Sequence, residues 1–415
     1  MKSYNAVINE NKAWADELFI RLEKKLSVMT ERSQNKIPSN VDENKIHNDT
    51  SAADWVSGFW GGLNLLMYKK TGKPAYLATA RSTEGRQDEV FASFELFHHD
   101  VGFMWHILSG ALYRLTGDEK SKNRNLWAAS SMMSRFVLGA NFIRAWNDSN
   151  AKGWPGRPVK NWTIIDCMMN LPLLYWASEI IEDDRFKRVA MAHADKTIDT
   201  HIRPDGSVIH IVEHDRDSGE VVETFGGQGY ADGSAWSRGQ AWGLYGFVLS
   251  YLYTDEVRYL DTAKKIANYF ISSCIDDWIP RVDFRAPNEP VYYDTSAGAC
   301  AACGLLELAR VLPENEGGSY ALAAVKIMRA LRERFLNLDA GCDEILSHGT
   351  ERYPVPGKYS EKVAGVHRTL IYADYFFVEA LLKLTGEEFN PWHSERRKLC
   401  TICQSIRISR STPTP

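Results

Sequence analysis

Apolar residues recur at helical spacing along most of this chain. In GLYGFVLSYLY (243–253) they occupy positions i, i+3, i+4 and i+7 counted from Leu244, which is the pattern of one buried helix face. The alternation of apolar and polar positions that is typical of strands is rare, and it is clearest in VIHIVEHD (208–215). The pattern therefore predicts a protein built mainly of helices.

A short turn rich in Gly, Asp, Glu or Pro recurs between two helical patterns. The turn lies in each of the segments MYKKTGKPAYL (67–77), ALYRLTGDEKS (111–121), WASEIIEDDRF (176–186), YLYTDEVRYL (251–260), LARVLPENEGGSY (308–320) and LLKLTGEEF (381–389). Repeated supersecondary units of this kind indicate a fold assembled from similar pieces. The sequence thus predicts six helical hairpins and, with the N-terminal helix, about twelve helices.

Long Gly-, Pro- and Trp-rich segments connect one hairpin to the next. These connections are 87–100, 140–162, 202–237, 274–293 and 338–367. Six consecutive hairpins bury all their apolar faces by closing into a ring, with inner helices packed on outer ones. We therefore predict an all-α, single-domain α/α six-hairpin (α/α)6 barrel. An open solenoid is the alternative, but long loops on one side favour a closed barrel with one functional face.

The domain prediction divides the chain near its C-terminal end. Residues 1–390 are predicted to form the catalytic barrel, with the amphipathic N-terminal segment MKSYNAVINENKAWADELF as a closing helix. Residues 391–415 are predicted to be a partly disordered C-terminal extension. The N-terminal segment lacks the apolar core and the cleavage site of a signal peptide.

The composition and charge of the chain exclude some classes of binding partner. The 415 residues carry a formal net charge of −4, and no apolar run approaches the length of a membrane span, so we predict neither a nucleic-acid nor a membrane partner. Seven cysteines, an odd number, fit a reducing compartment, and we expect a cytoplasmic protein. Aromatic residues make up 12% of the chain, which suits either a large helical core or the binding of sugar rings.

Three groups of residues resemble metal ligands. The pair Cys300 and Cys303 lies in a small, apolar helix, where Cys behaves as a small hydrophobe, and Cys400 and Cys403 precede a Ser/Thr/Pro-rich tail. The adjacent residues His98 and His99 stand beside Asp100, but neighbours in sequence rarely face one ligand. We therefore predict no metal site and no cofactor.

Several segments carry a family resemblance. They are FELFHHDVGFMW (94–105), NWTIIDCMMNLPLLYWA (161–177), HIRPDGSVIH (201–210) and GGQGYADGSAWSRGQAWGLYG (226–246). These segments closely resemble family 88 of the glycoside hydrolases, the unsaturated glucuronyl hydrolases. The resemblance runs from 58–60 to 371–384, and it is most specific around Arg238.

The resemblance implies a role for each of several residues. It implies that Asp166 is the catalytic acid/base and Asp100 its essential neighbour. It places the side chains of the sugar subsite at His210, Gln228, Arg238 and Trp242, with Trp60 on the wall. It also implies that Ser360 and Lys362, in PGKYSEKV (356–363), contact sulfate groups on the substrate, although Gly357 replaces the first serine of the family's stretch.

The activity implied by the resemblance is removal of a 4,5-unsaturated glucuronic acid from the non-reducing end of an oligosaccharide by hydration. One carboxyl group can give a proton to carbon and take one back from water, so no nucleophile is required. A second carboxylate nearby favours the protonated form of the first, and Asp100 is the candidate. The conventional scheme with two carboxylates stays open. We expect a monomer or a homodimer.

Other interpretations remain for these residues. An Asp at a helix start is usually an N-cap, Arg238 could be a buried structural arginine, and Trp60 and Trp242 could belong to the core. Two other functions are possible. One is an unsaturated rhamnogalacturonyl hydrolase with the same barrel, and the other is a non-catalytic sugar-binding barrel.

Overall fold

Two concentric rings of helices form the molecule. The structure, a computed structural model, describes residues 2–148, 157–355, 357 and 360–393. Within these residues the longer helices are α1 (Tyr4–Arg32), α2 (Phe59–Thr71), α3 (Pro74–Gln87), a π-helix (Gly102–Gly110) continuous with α4 (Ala111–Thr116), α5 (Glu119–Met133), α6 (Leu171–Ile181), α7 (Arg185–His201), α8 (Ser237–Thr254), α9 (Val257–Cys274), α10 (Thr295–Val311), α11 (Glu314–Arg334) and, after the short α12 (Glu361–Ala364), α13 (Ile371–Leu384).

The inner ring is closed. Helix α2 packs on the π-helix, which packs on α6, and the contacts continue through α8, α10 and α13 back to α2. The first five inner helices pack on the outer helices α3, α5, α7, α9 and α11, in chain order, and the sixth, α13, packs on α1. The predicted (α/α)6 barrel is confirmed. None of the described helices is both long and apolar enough to cross a membrane.

Short turns join each inner helix to its outer partner. Helices α2 and α4 end at Gly72 and Gly117, whose φ angles of 68° and 72° lie in the left-handed region. A residue in this conformation ends a helix because its backbone redirects the chain, and glycine adopts it without a steric penalty from Cβ. Glu182 and Asp255 take the same conformation after α6 and α8. Five of the predicted turns therefore join two helices as expected.

The sixth predicted turn does not join two helices. After α13 the chain turns at Thr385 and Gly386, and residues 387–393 form no helix. Helix α1 packs on both α13 and α11, and so it fills the outer position that the sixth hairpin leaves open. Trp392 is fully buried and stacks on Phe376, so the packed chain continues past residue 390.

Small sheets lie within the long connections at one end of the barrel. Strand β1 (Phe136–Val137) pairs with β2 (Phe142–Ile143), and β3 (Trp162–Ile164), β4 (Ile211–His214) and β5 (Val221–Phe225) form an antiparallel sheet in that order. The predicted strand signal at 208–215 corresponds to β4. Because the connections precede the inner helices, their residues and the N-terminal ends of those helices meet at one face.

Candidate functional site

A cavity of about 290 Å³ opens at the end of the barrel that carries the long connections. Its lining combines carboxyl, imidazole, guanidinium and indole groups. The lining residues include Asp54, Trp55, His99, Asp100, Trp146, Asp166, His210, Gln228, Trp236, Arg238, Glu351, Arg352 and Tyr372. Five of the predicted site residues therefore meet at one cavity, and they come from distant parts of the chain.

Asp166 lies where the chain changes from strand β3 to a short helix at the cavity. It lies in a 3-10 helix (Ile165–Met169) between β3 and α6. The pairing of β3 with β4 continues through a hydrogen bond from the Ile165 N–H to the His210 carbonyl at 3.1 Å. That register sets the side chains of Asp166 and His210 beside each other, with Oδ2 and Nε2 3.6 Å apart. Strand pairing therefore positions the proposed acid.

The Oδ2 atom of Asp166 is shielded from solvent and receives no hydrogen bond from any described residue. A buried carboxyl oxygen without a partner is costly to keep in a folded protein. An oxygen held in this way remains available to a substrate, because no internal donor occupies it. This is the property that a proton-transferring group requires.

His210 has a defined tautomer. Its Nδ1 accepts a hydrogen bond from the backbone N–H of Gln228 at 3.0 Å, so the ring proton of the neutral imidazole lies on Nε2, which faces Asp166. The carbonyl of Gly226 lies farther from Nδ1, at 3.3 Å. The ring also packs against Trp236 in a tilted arrangement, with centroids 4.3 Å apart. His210 is thereby fixed as a donor into the cavity.

Asp100 is held as a carboxylate. The imidazoles of His99 and His98 lie 3.3 and 3.4 Å from its Oδ2, and Asn170 donates to its Oδ1 at 3.1 Å. Burial alone raises the pKa of Asp100, but these three groups outweigh burial and hold the pKa below its ordinary value. Asp100 is therefore negatively charged at neutral pH.

Asn170 connects the two aspartates. Its amide Nδ2 donates to Asp100 and also to the backbone carbonyl of Asp166, both at 3.1 Å. Its Oδ1 accepts from the N–H of Phe103 in the π-helix at 2.8 Å. Gly102 makes this contact possible, because a Cβ there would lie 2.7 Å from Asn170. The sequence reasoning missed Asn170, and its signal was a buried amide four residues after Asp166.

Arg238 is buried and has several partners. Its Nη1 donates to Asp294 at 2.6 Å and to the carbonyl of Thr350 at 2.8 Å, and its Nη2 donates to the carbonyl of Glu351 at 2.6 Å. The guanidinium lies over the ring of Trp236 at 4.6 Å. Arg238 thus lines the cavity and also has the buried structural contacts of the alternative interpretation.

Trp60 and Trp242, which were predicted to line the sugar subsite, lie in the core. Trp60 is fully buried and donates from Nε1 to the carbonyl of Ser33 at 3.1 Å, and Trp242 is fully buried between Phe103 and Phe376. Neither is among the lining residues. The reason is that each lies inside a helix that packs in the barrel. The indoles that line the cavity are those of Trp55, Trp146 and Trp236, which all lie in connections.

Ser360 and Lys362 lie in the connection before α13, outside the cavity lining. Ser360 is the N-cap of the four-residue helix α12 and accepts a hydrogen bond from the N–H of Val363 at 3.3 Å. Lys362 is exposed, as expected for a surface lysine. Tyr292 is held near the same segment by a hydrogen bond to Glu361 at 2.9 Å.

The described residues contain no group of three or more His, Cys, Asp or Glu side chains that could hold a metal ion. Cys300 and Cys303 are buried in α10, where burial raises the pKa of both thiols well above its ordinary value. They are core residues. The second cysteine pair, Cys400 and Cys403, lies outside the described residues.

Comparison with known proteins gives consistent results. The family model described as Glycosyl Hydrolase Family 88 matches residues 27–282. An unsaturated glucuronyl hydrolase of Bacillus sp. (strain GL1) is 37% identical over 349 residues, which make up 83% of this chain and 89% of that protein. An unsaturated chondroitin disaccharide hydrolase of Streptococcus pyogenes serotype M1 is 31% identical over 344 residues, or 82% and 83% of the two chains. The crystal structure of the unsaturated glucuronyl hydrolase from Bacillus sp. GL1 matches with a TM-score of 0.81 and 33% identity, and covers 90% of this chain and 98% of that one.

Proposed function

Because this chain belongs to Glycosyl Hydrolase Family 88, we propose that it removes a 4,5-unsaturated glucuronic acid from the non-reducing end of an oligosaccharide. The chain is a glycoside hydrolase. Its substrates are those oligosaccharides that polysaccharide lyases leave with a C4=C5 double bond. The observation that carries the proposal is the joint placement of Asp166, His210 and Asp100 at one cavity.

We propose that Asp166 acts as both acid and base. In the first step its carboxyl proton adds to C4 of the vinyl ether, and the cation that develops at C5 is stabilised by the ring oxygen. Water then adds its oxygen to C5 and returns its proton to Asp166. The resulting hemiketal collapses to an open keto-uronate and the glycan is released. The partnerless Oδ2 of Asp166 supports this role, because it is free to give and regain a proton.

Asp100 and His210 are proposed to support that cycle. The ionised Asp100 places negative charge near the reacting carboxyl, which favours the protonated form that the first step requires. The Nε2–H of His210 faces the same carboxyl at 3.6 Å and can donate to a substrate oxygen that lies next to both groups. The indoles of Trp55 and Trp146 offer apolar faces for the sugar rings.

Ser360 and Lys362 are proposed to contact a sulfate group on the substrate. An exposed lysine offers a cation, and a hydroxyl two residues away offers a donor. Ser360 already accepts the N–H of Val363, but its own O–H proton can still be donated. The contribution is modest, since exposed charge contacts are worth little.

We propose that the enzyme works in the cytoplasm. The five cysteines among the described residues are free thiols, and all five are buried. Reduced cysteines are typical of proteins in a reducing compartment.

Loss of ultraviolet absorbance tests the proposed activity, since hydration removes the C4=C5 chromophore. The substrates are unsaturated oligosaccharides derived from heparin, chondroitin, hyaluronan, ulvan and gellan. We expect turnover of at least one of them, with the saturated disaccharide of the same glycan as the inert control. An unsaturated rhamnogalacturonyl substrate tests the rival activity. Absence of turnover on every glucuronyl substrate would refute the proposal.

A further inference from the structure

Three buried polar side chains contact one another beside the paired strands β3 and β4. Thr163 lies in β3, His214 is the last residue of β4, and His201 is the last residue of α7. Each has only 1% of its surface exposed. The Oγ1 atom of Thr163 lies 2.8 Å from Nε2 of His201 and 2.8 Å from Nε2 of His214. None of the three lines the cavity, so the proposed chemistry leaves this cluster unexplained.

The cluster has more hydrogen-bond contacts than protons. The Nδ1 atom of His201 faces the carbonyl of Ile209 at 2.8 Å, and Nδ1 of His214 faces the carbonyl of Gly219 at 3.2 Å. Together with the two contacts of Thr163, these require four protons. Burial lowers the pKa of His201 to about 3 and that of His214 to about 4, so each ring is neutral at neutral pH and carries one proton. The hydroxyl of Thr163 supplies the third and last proton.

The shortest contacts determine where the three protons lie. A carbonyl can only accept, so the contact with Ile209 places the proton of His201 on Nδ1. The Nε2 atom of His201 is then an acceptor, and the hydroxyl of Thr163 donates to it. The oxygen of Thr163 in turn accepts from the Nε2–H of His214. Each donor therefore has an acceptor at 2.8 Å.

The contact that is left without a proton is the longest of the four. The carbonyl of Gly219 lies 3.2 Å from Nδ1 of His214, and it accepts instead from Nζ of Lys196 at 3.3 Å. The carbonyl of Val212 also lies 3.4 Å from the hydroxyl of Thr163, which makes it a weaker acceptor than the nearer imidazole. All three protons are then used in the shorter contacts, and the chain of donors has a single direction.

The end of this chain holds the residue that precedes His210. The carbonyl of His201 accepts from the N–H of Ile209 at 2.8 Å, and Nδ1 of His201 donates to the carbonyl of Ile209 at 2.8 Å. The carbonyl of His210 accepts from the N–H of Ile165, the residue before Asp166. The ring of His201 thus fixes the backbone that sets the separation of the two cavity side chains.

We propose that Thr163, His201 and His214 are positioning residues for the proposed reaction. Their one-way chain of hydrogen bonds fixes the backbone before His210 and so holds this imidazole beside Asp166, at 3.6 Å. The inference rests on the proposed function, because it assigns the three residues to the geometry of that reaction. A proton-transferring group depends on such placement, since a small displacement from the reactive geometry is costly to the rate.

Heteronuclear NMR of the histidine ring nitrogens tests the direction of the chain at neutral pH. In the wild-type protein we expect the proton of His214 on Nε2 and that of His201 on Nδ1. The signals of His214 are identified by their absence from His214→Gln. In Thr163→Val the acceptor oxygen is lost, and the proton of His214 should move to Nδ1, where the carbonyl of Gly219 can accept it. Thr163→Ser keeps the hydroxyl and should keep the wild-type signals.

Kinetic measurements test the positioning role. With an unsaturated disaccharide that the wild-type enzyme turns over, Thr163→Val should lower kcat about 10-fold and change KM less than about threefold, because the substrate contacts remain. Thr163→Ser should restore kcat to within about twofold of the wild type. The control is Thr83→Val, which removes another buried hydroxyl, one that donates within α3 to the carbonyl of Thr79 at 3.1 Å. It should change neither kcat nor the signals of the imidazoles.

The outcomes separate the inference from the function on which it rests. A proton of His214 on Nδ1 in the wild-type protein would overturn the direction of the chain. An unchanged kcat in Thr163→Val, or a loss that Thr163→Ser does not restore, would overturn the positioning role and leave the proposed activity intact. A wild-type enzyme that turns over no unsaturated glucuronyl substrate would refute the proposed function, while the NMR signals would still decide whether the chain exists.

A second pair of variants covers the case in which Thr163→Val does not fold. His214→Leu loses the donor to Thr163, whereas the amide of His214→Gln can keep it. The same loss of kcat is expected in His214→Leu and the same recovery in His214→Gln. Equal rates in these two variants would overturn the positioning role.

Discussion

Glu307 and Asp166 carry buried carboxyl groups at opposite ends of the barrel, and the two groups differ in their hydrogen bonds. Helix α10 begins after Asp294, which pairs with the cavity residue Arg238, and it carries Glu307 twelve residues after Thr295, about 18 Å along the helix axis. There, Glu307 accepts hydrogen bonds from Lys383 and Arg310, both at 2.6 Å, and from Asn390 at 3.1 Å. At the cavity end, Oδ2 of Asp166 receives none from the described residues.

The far end is a completed network. Glu379 accepts from the hydroxyl of Tyr245 at 2.5 Å and from the indole of Trp392 at 3.0 Å, and it also lies 3.4 Å from Lys383. Such a network stabilises one packing arrangement and leaves no group for a ligand. Burial alone therefore does not identify the proposed acid. Asp166 combines a buried oxygen without a donor with a place in the cavity lining, whereas Glu84 and Asp374, which also have a buried oxygen without a donor among the described residues, do not line the cavity.

The largest expected effect is on catalysis at the cavity end. In Asp166→Asn, kcat should fall by about 10³-fold, because the amide cannot exchange a proton with carbon and water. The free energy of unfolding should change little, since Oδ2 has no hydrogen bond to lose. The matched control is Asp184→Asn at the exposed N-cap of α7. Retention of more than about a tenth of the wild-type rate would remove Asp166 from its proposed role.

The far end should respond through stability. Burial alone raises the pKa of Glu307, but Lys383 and Arg310 outweigh burial and lower it to about 2. The pair therefore stabilises the fold above pH 4.5, the ordinary value, and this stabilisation is lost as the pH falls from there toward 2. Glu307→Gln leaves Lys383 buried without its main partner and should cost about 3 kcal/mol.

Denaturant unfolding at neutral and acidic pH measures this effect. The variant should lose stability at pH 7 and show a smaller further loss in acid than the wild type, while kcat at 25 °C stays within about twofold. Glu119→Gln provides the control, since Glu119 is exposed and pairs only across one helical turn with Lys122, and it should cost less than about 0.5 kcal/mol. If Glu307→Gln lost as much stability in acid as the wild type does, groups other than Glu307 would cause that loss.

The next effect concerns the charge of Asp100. Its pKa lies below the ordinary value, so it is ionised throughout the neutral range, and the proposed role of this charge is to favour the protonated form of Asp166. Asp100→Asn should lower kcat by about 10²-fold and move the residual pH optimum downward, because the acid then loses its proton at lower pH. The measurement is the pH profile of kcat for both enzymes. An unchanged or upward-shifted profile would contradict the charge coupling.

The barrel was predictable because its pattern repeats. Turns such as those at Gly72 and Gly117 have a local chemical cause, and the long connections between hairpins set one functional face. The outer position beside α13 was not visible in the same way, because it is filled by α1 from the opposite end of the sequence. Local periodicity reports which face of a helix is buried but not which helix covers it.

The site was predicted in part for a similar reason. Asp100, Asp166 and His210 lie in connections before inner helices, and that position places them at the cavity. Trp60 and Trp242 lie within helices, where a side chain turns toward the packed interior. The position of each tryptophan in the chain could have corrected this, because Trp55, Trp146 and Trp236, which line the cavity, all precede inner helices.

The smallest effect is expected at Lys362, which is exposed and belongs neither to the cavity lining nor to the network around Glu307 and Glu379. Lys362→Ala should raise KM about two- to fivefold for a sulfated unsaturated disaccharide and leave the unsulfated form unchanged, because an exposed charge contact contributes less than about 1 kcal/mol. The measurement pairs both disaccharides with both enzymes, and it is repeated at high salt, where screening should remove the difference. Ser360→Ala must be interpreted beside it, since that change also removes the N-cap of α12. Equal changes in KM for the two disaccharides would reduce Lys362 to a surface residue, whereas a selective change that disappears in salt would extend recognition beyond the cavity.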